Sequence, residues 1–91
     1  MQTEDSQKIV GRFFEALSKL KDYNKIKGKK TFTTKFDINR WNLITLEKDH
    51  SRDIFQPAWL TYLVKEYGVS ANWLLTGEGE FFSSERKVHK A

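Results

Sequence analysis

Apolar residues recur along the start of the chain at spacings of one, three and four: Ile9, Val10, Phe13, Phe14, Ala16, Leu17 and Leu20. That period makes one broad helical face and predicts a helix over about residues 5–21. Glu4 and Asp5 near its start, and Lys19 and Lys21 near its end, complement the helix dipole. Asp22 to Lys30 has no apolar period and contains Asn24 and Gly28, which predicts a loop. The pattern resumes with Phe32 and Phe36, one turn apart, so Thr31–Phe36 reads as a short helix. Asp37-Ile38-Asn39 reads as a tight turn. A helix from about Asn39 to Lys48 follows, with Leu43 and Leu46 on its inner side and Glu47 among its framework positions.

Asp49 to Ile54 is polar and irregular, and Gln56-Pro57 opens the next helix with proline in its preferred first turn. Trp59, Leu60, Leu63, Val64 and Tyr67 supply the buried stripe there, and Gly68 stops it. Ser70 is an N-cap, Trp73, Leu74 and Leu75 give a short apolar helix over residues 70–76, and Gly77 closes it. No alternating segment longer than four residues and no internal repeat interrupts this series. The expected class is all-α, with five helices.

Composition narrows the picture. A chain of 91 residues makes one domain with a core just large enough to fold unaided. The absence of cysteine excludes disulfides and zinc-thiolate sites and fits a reducing cytosol. Apolar stretches are far too short to span a bilayer, and the opening Met-Gln-Thr-Glu-Asp is acidic, unlike a signal peptide. A soluble, cytoplasmic protein without a membrane partner is the expectation. Net charge is +4, unevenly placed. Residues 19–30 hold Lys19, Lys21, Lys25, Lys27, Lys29 and Lys30 against Asp22, whereas residues 51–82 are net acidic. Such a basic segment suits a polyanion, since each lysine near a phosphate releases a condensed counterion. On charge alone, a solvated lysine-rich loop is the plainer account.

The run Gly68-Val-Ser-Ala-Asn-Trp-Leu-Leu-Thr-Gly-Glu-Gly79 resembles the closing signature of lambda-repressor-like helix-turn-helix domains. The segment from Phe32 to Glu47 resembles the helix-turn-helix itself. Phe32 and Thr33 stand where the family has an apolar and a small residue. Phe36-Asp37-Ile38 occupies the turn, and Leu43, Leu46 and Glu47 occupy the framework of the second helix. The likeness runs from the first helix to Gly79, and its closing run is the more specific part. Asp37 departs from the usual turn glycine, a modest cost because aspartate tolerates left-handed geometry better than most residues. The resemblance implies a compact five-helix DNA-binding domain over residues 1–82, with 83–91 as a polar, basic and disordered tail. It implies a transcriptional regulator, expected to be a repressor, that binds double-stranded DNA without a cofactor.

If the resemblance holds, the helix from Asn39 to Lys48 enters the major groove with Asn39, Arg40, Trp41, Asn42, Ile44 and Thr45 toward the bases. Arg40 is the foremost reader, because a guanidinium spans guanine O6 and N7, while a carboxylate-paired surface arginine is the plainer alternative. Lys29, Lys30 and Thr31, just ahead of the motif's first helix, and Lys48, His50 and Arg52 after the second, are placed for phosphates. Trp41 and Ile44 leave three alternatives open: thymine methyls and sugar edges, a protein partner, or core packing. The second makes the chain a protein-interaction module, such as an antitoxin or accessory subunit. Phe81 and Phe82 either fold back on the core or extend the fifth helix into a homodimer addressing two half-sites.

Chemistry finds little foothold. Gly28-Lys29-Lys30-Thr31 superficially resembles a phosphate-binding loop, but Tyr23 stands where the first glycine belongs and Lys30 where Ser or Thr must follow the lysine. His50 and His89 are far apart and lack partners at ligand spacing, so no metal site is expected. Ser83 and Ser84 have no organised base nearby. A second, self-cleaving domain of the kind that longer phage repressors carry is not expected. Not an enzyme, with no catalytic residues, is the expectation.

Overall fold

The computed structural model describes residues 3–83, in which five helices follow one another: α1 (Glu4–Asp22), α2 (Lys29–Lys35), α3 (Arg40–Lys48), α4 (Ala58–Tyr67) and α5 (Ala71–Thr76). The expected basic tail lies outside the described residues apart from Ser83. Three helices begin at side-chain caps. Thr3 Oγ1 accepts from the Ser6 N–H at 3.1 Å, Asn39 Oδ1 from the Asn42 N–H at 3.1 Å, and Ser70 Oγ from the Trp73 N–H at 3.2 Å. Each satisfies one of the N–H groups that a helix start leaves without an intrahelical partner. Gly68 and Gly77 end α4 and α5 at φ 74° and 80°, where a Cβ is penalised.

One boundary moves. α2 starts at Lys29, two residues before the predicted Thr31, with Gly28 as a cap that offers no side-chain bond. The apolar period dates the helix from its first buried residue. Lysine is a good helix former, so backbone winding begins before burial does. Lys29 and Lys30 therefore occupy the first turn of α2 instead of preceding it.

α1 is the central element, burying Val10, Phe13, Phe14, Ala16, Leu17 and Leu20. Phe13 is the hub, with ring centroids of Phe14, Phe32, Phe55 and Trp59 at 5.1–5.7 Å. Such tilted and edge-to-face pairs add to the area term of burial. The connector from α1 to α2 is anchored by Ile26, which is 5% exposed, a buried residue that no periodicity reveals. Of the predicted α4 stripe, Trp59 and Leu63 are buried, while Leu60, Val64 and Tyr67 are half-buried against the core.

Phe81 and Phe82 fold back. Phe82 forms an antiparallel bridge with Val69, the Ser70 N–H donates to the Phe81 carbonyl at 2.7 Å, and the Ser83 N–H donates to that of Gly68 at 2.8 Å. The Phe81 ring meets Trp73 edge-on at 4.9 Å, and Phe82 meets Tyr23 at 5.1 Å. Arg12 ties the same end to α1. Its Nε and one terminal nitrogen donate to the Leu74 and Leu75 carbonyls at 2.7 and 2.8 Å, satisfying acceptors at the C-terminus of α5. Among the described residues no helix is long and apolar enough to cross a membrane.

Candidate nucleic-acid interface

α2, the Asp37 turn and α3 form one unit. Thr33 is buried at 4% exposure, and its hydroxyl donates back to the Lys30 carbonyl at 3.1 Å. Asp37 sits at φ 54°, in the left-handed region that its place as turn residue requires. The Ile38 N–H closes the corner on the Thr33 carbonyl at 2.9 Å. Leu43 and Leu46 are fully buried and hold α3 to the body. On its other side α2 docks on α4: the Phe36 and Tyr62 rings stack with centroids 4.3 Å apart, and Lys35 pairs with Glu66 at 3.2 Å.

Burial of Leu43 and Leu46 fixes which way α3 faces. At about 100° per residue, Trp41 and Lys48 point opposite the two leucines, with Ile44 and Thr45 beside that line. Trp41 is 75% exposed, so it is no core residue. Ile44 and Thr45 are half-buried, whereas Arg40, Asn42 and Lys48 are exposed. Arg40 and Glu47 fall on one flank and Asn42 on the other. Asn39 is exposed but acts as the N-cap, its amide oxygen accepting from the Asn42 N–H. Of the six residues expected at the bases, then, Trp41 stands at the apex, Arg40 and Asn42 flank it, and Asn39 frames the helix.

The expected phosphate contacts are exposed at Lys29, Lys30, Lys48 and Arg52, with Thr31 half-buried. Lys29 already has a partner, since its Nζ lies 3.0 Å from Glu47 Oε2 with both side chains about two-fifths exposed. An exposed pair of this kind contributes at most about 1 kcal/mol, little enough for a phosphate to displace the carboxylate. Lys29 and Lys30 also add to the positive end of the α2 dipole instead of offsetting it.

Beyond α3, Asp49 Oδ1 accepts from the Ser51 hydroxyl at 2.6 Å and from the Ser51 N–H at 3.1 Å. These bonds, the hydroxyl first, hold its carboxyl below the usual value of 3.8. His50, grouped with the phosphate contacts in the sequence, instead stacks on Phe14 with ring centroids 5.7 Å apart and abuts Gly11. That contact joins residues far apart in the chain, which spacing does not reveal. Lys25 and Lys27, exposed on either side of the buried Ile26, are further cations outside the motif. Among the described residues no group of three or more His, Cys, Asp or Glu side chains is placed to hold a metal ion. No protein-family model, no curated protein and no solved structure matches this chain.

Proposed function

We propose that the chain binds double-stranded DNA sequence-specifically through α3 and acts as a transcriptional regulator, a repressor that works in the cytoplasm by occluding a promoter. The observation that carries this reading is the outer surface of α3. It presents Arg40, Trp41 and Asn42 in its exposed first turn, and Lys48 ends the same face. Glu47, the one carboxylate of α3, is turned to the flank and engaged by Lys29. A helix with polar and apolar side chains outward, bracketed by lysines, has the composition that a major groove admits. The resemblance of the α2–turn–α3 segment and of the Gly68–Gly79 run to lambda-repressor-like domains supports the same reading.

In this scheme Arg40 contacts guanine and the cations contact phosphates without regard to sequence. A second copy would address a half-site about one helical turn away. Phe81 and Phe82 pack within the chain, so the apolar part of α5 open to that copy is Leu75, at 52% exposure. The exposure of Trp41 favours one other reading, an interaction module whose partner is a protein.

Fluorescence-anisotropy titration against the DNA upstream of its own gene and a scrambled duplex, at low and near-physiological salt, separates the two. Preference for the upstream duplex that survives salt supports an autoregulating DNA-binding protein. Arg40→Ala should then weaken that site by about 1–3 kcal/mol and relax base preference. Equal, weak binding lost with salt moves the protein-partner reading to the front.

A further inference from the structure

Resting on the DNA-binding reading, we propose that Trp41 reads thymine, by pairing its indole N–H with O4 while its ring covers the 5-methyl group. Trp41 is 75% exposed at the apex of α3, opposite the buried Leu43 and Leu46, with half-buried Ile44 one turn on along the same side. Its chemistry is narrow: one donor, no acceptor and a broad apolar face. The four major-groove edges differ in what they offer it. Thymine presents one acceptor beside one methyl group. Cytosine presents an amino donor that would oppose the indole N–H, and guanine presents two acceptors with no apolar group. Adenine places its single acceptor next to a donor. Thymine alone matches both halves of the side chain.

A base edge is preferred to a protein for this surface on charge. Along α3 the exposed residues nearest Trp41 in helical register are Arg40, Asn42 and Lys48. Lys29 and Lys30 stand in the first turn of α2, and the exposed carboxylates Asp37 and Asp49 lie beyond the two ends of α3. No carboxylate lies on the outward line of α3, since Glu47 is on the flank against Lys29. A polyanion is the partner whose charge complements that rim.

The test begins with selection of a preferred duplex from a random-sequence library by the full chain. Each thymine of that duplex is then replaced in turn by deoxyuridine, which removes only the methyl, or by 5-methylcytosine paired with guanine, which keeps the methyl but turns the acceptor into a donor. At one thymine per half-site, deoxyuridine should weaken binding about fourfold, the effect of uncovering a single methyl. 5-Methylcytosine should weaken it further. Trp41→Ala, at an exposed position that folding does not need, should bind the parent duplex more weakly and respond to neither replacement there. Trp41→Phe should retain the methyl response and lose part of the discrimination against 5-methylcytosine. Equal binding of thymine and deoxyuridine duplexes at every position overturns the inference while leaving DNA recognition intact. So does an unchanged methyl response in Trp41→Ala. Failure to enrich any sequence, with no duplex bound at near-physiological salt, withdraws the DNA-binding reading and this inference with it.

Discussion

Asp37 holds the corner between α2 and α3 at φ 54°, where a Cβ crowds the backbone. Asp37→Gly should relieve that crowding and leave stability unchanged or raised by up to about 1 kcal/mol, the greater freedom of glycine in the unfolded chain offsetting part of the gain. Asp37→Val, β-branched and without a local hydrogen bond, should cost more than about 1 kcal/mol in urea denaturation. Asp49 makes a second prediction at this scale. Its carboxyl titrates below 3.8 because the Ser51 hydroxyl and N–H bond its charged form. A depressed folded value means that the stabilisation is present above the ordinary carboxylate range and is lost as pH falls through the lowered value. Ser51→Ala should move the Asp49 titration, followed by NMR, back up toward 3.8 and shrink that acid-side loss.

Between elements, the contact of greatest functional consequence is the one from the first turn of α2 to the last turn of α3. Lys29 lies 3.0 Å from Glu47, so under the proposed DNA-binding role the cation assigned to a phosphate starts out paired with a carboxylate. Glu47→Gln should raise affinity for any duplex and steepen the salt dependence by up to about one unit, as a freed lysine releases one more counterion. In a Lys29→Ala background the same change should gain less, and the double-mutant cycle measures the difference. Equal gains in both backgrounds would mean that Glu47 acts by general repulsion alone. Helix boundaries follow simpler rules. Of the three side-chain caps, Ser70 is legible in the sequence, whereas Thr3 and Asn39 emerge from the structure, and the early start of α2 is a matter of propensity at two lysines beyond the apolar stripe.

Across the whole molecule, charge and core are arranged separately. Phe13 gathers rings from α2, α4 and the segment before α4 around α1, while the described lysines lie outside the core, in the α1–α2 connector and at exposed or half-buried helix positions. Ile26, buried between Lys25 and Lys27, pins the α1–α2 connector and turns both lysines outward. If that connector lies along the DNA backbone, the double change Lys25→Gln and Lys27→Gln should weaken all duplexes alike and lower the salt slope by up to about two units. The preferred sequence should stay the same. A changed sequence preference in that double variant would place the two lysines near base edges. Folding should be unaffected, since only Ile26 of the three is buried, and circular dichroism checks it.

The helices and their inner faces are legible in the local pattern of the chain. Period and caps are local properties, so Leu43 and Leu46, Gly68 and Ser70 are written in neighbouring residues, while the left-handed place of Asp37 is suggested only by the family resemblance. Tertiary structure alone decided which side chains remain outside. Trp41 is apolar, and a pattern of polarity assigns such a residue to the core as readily as to a partner. Only the packing of Leu43 and Leu46 against the body turns it into solvent. Likewise Arg12 bonding the end of α5, His50 stacking on Phe14, and Phe82 pairing with Val69 join residues far apart in the chain. Helical periodicity spans a few turns, whereas these contacts exist only once the chain has closed on itself, and that closure leaves Trp41 at the apex of α3.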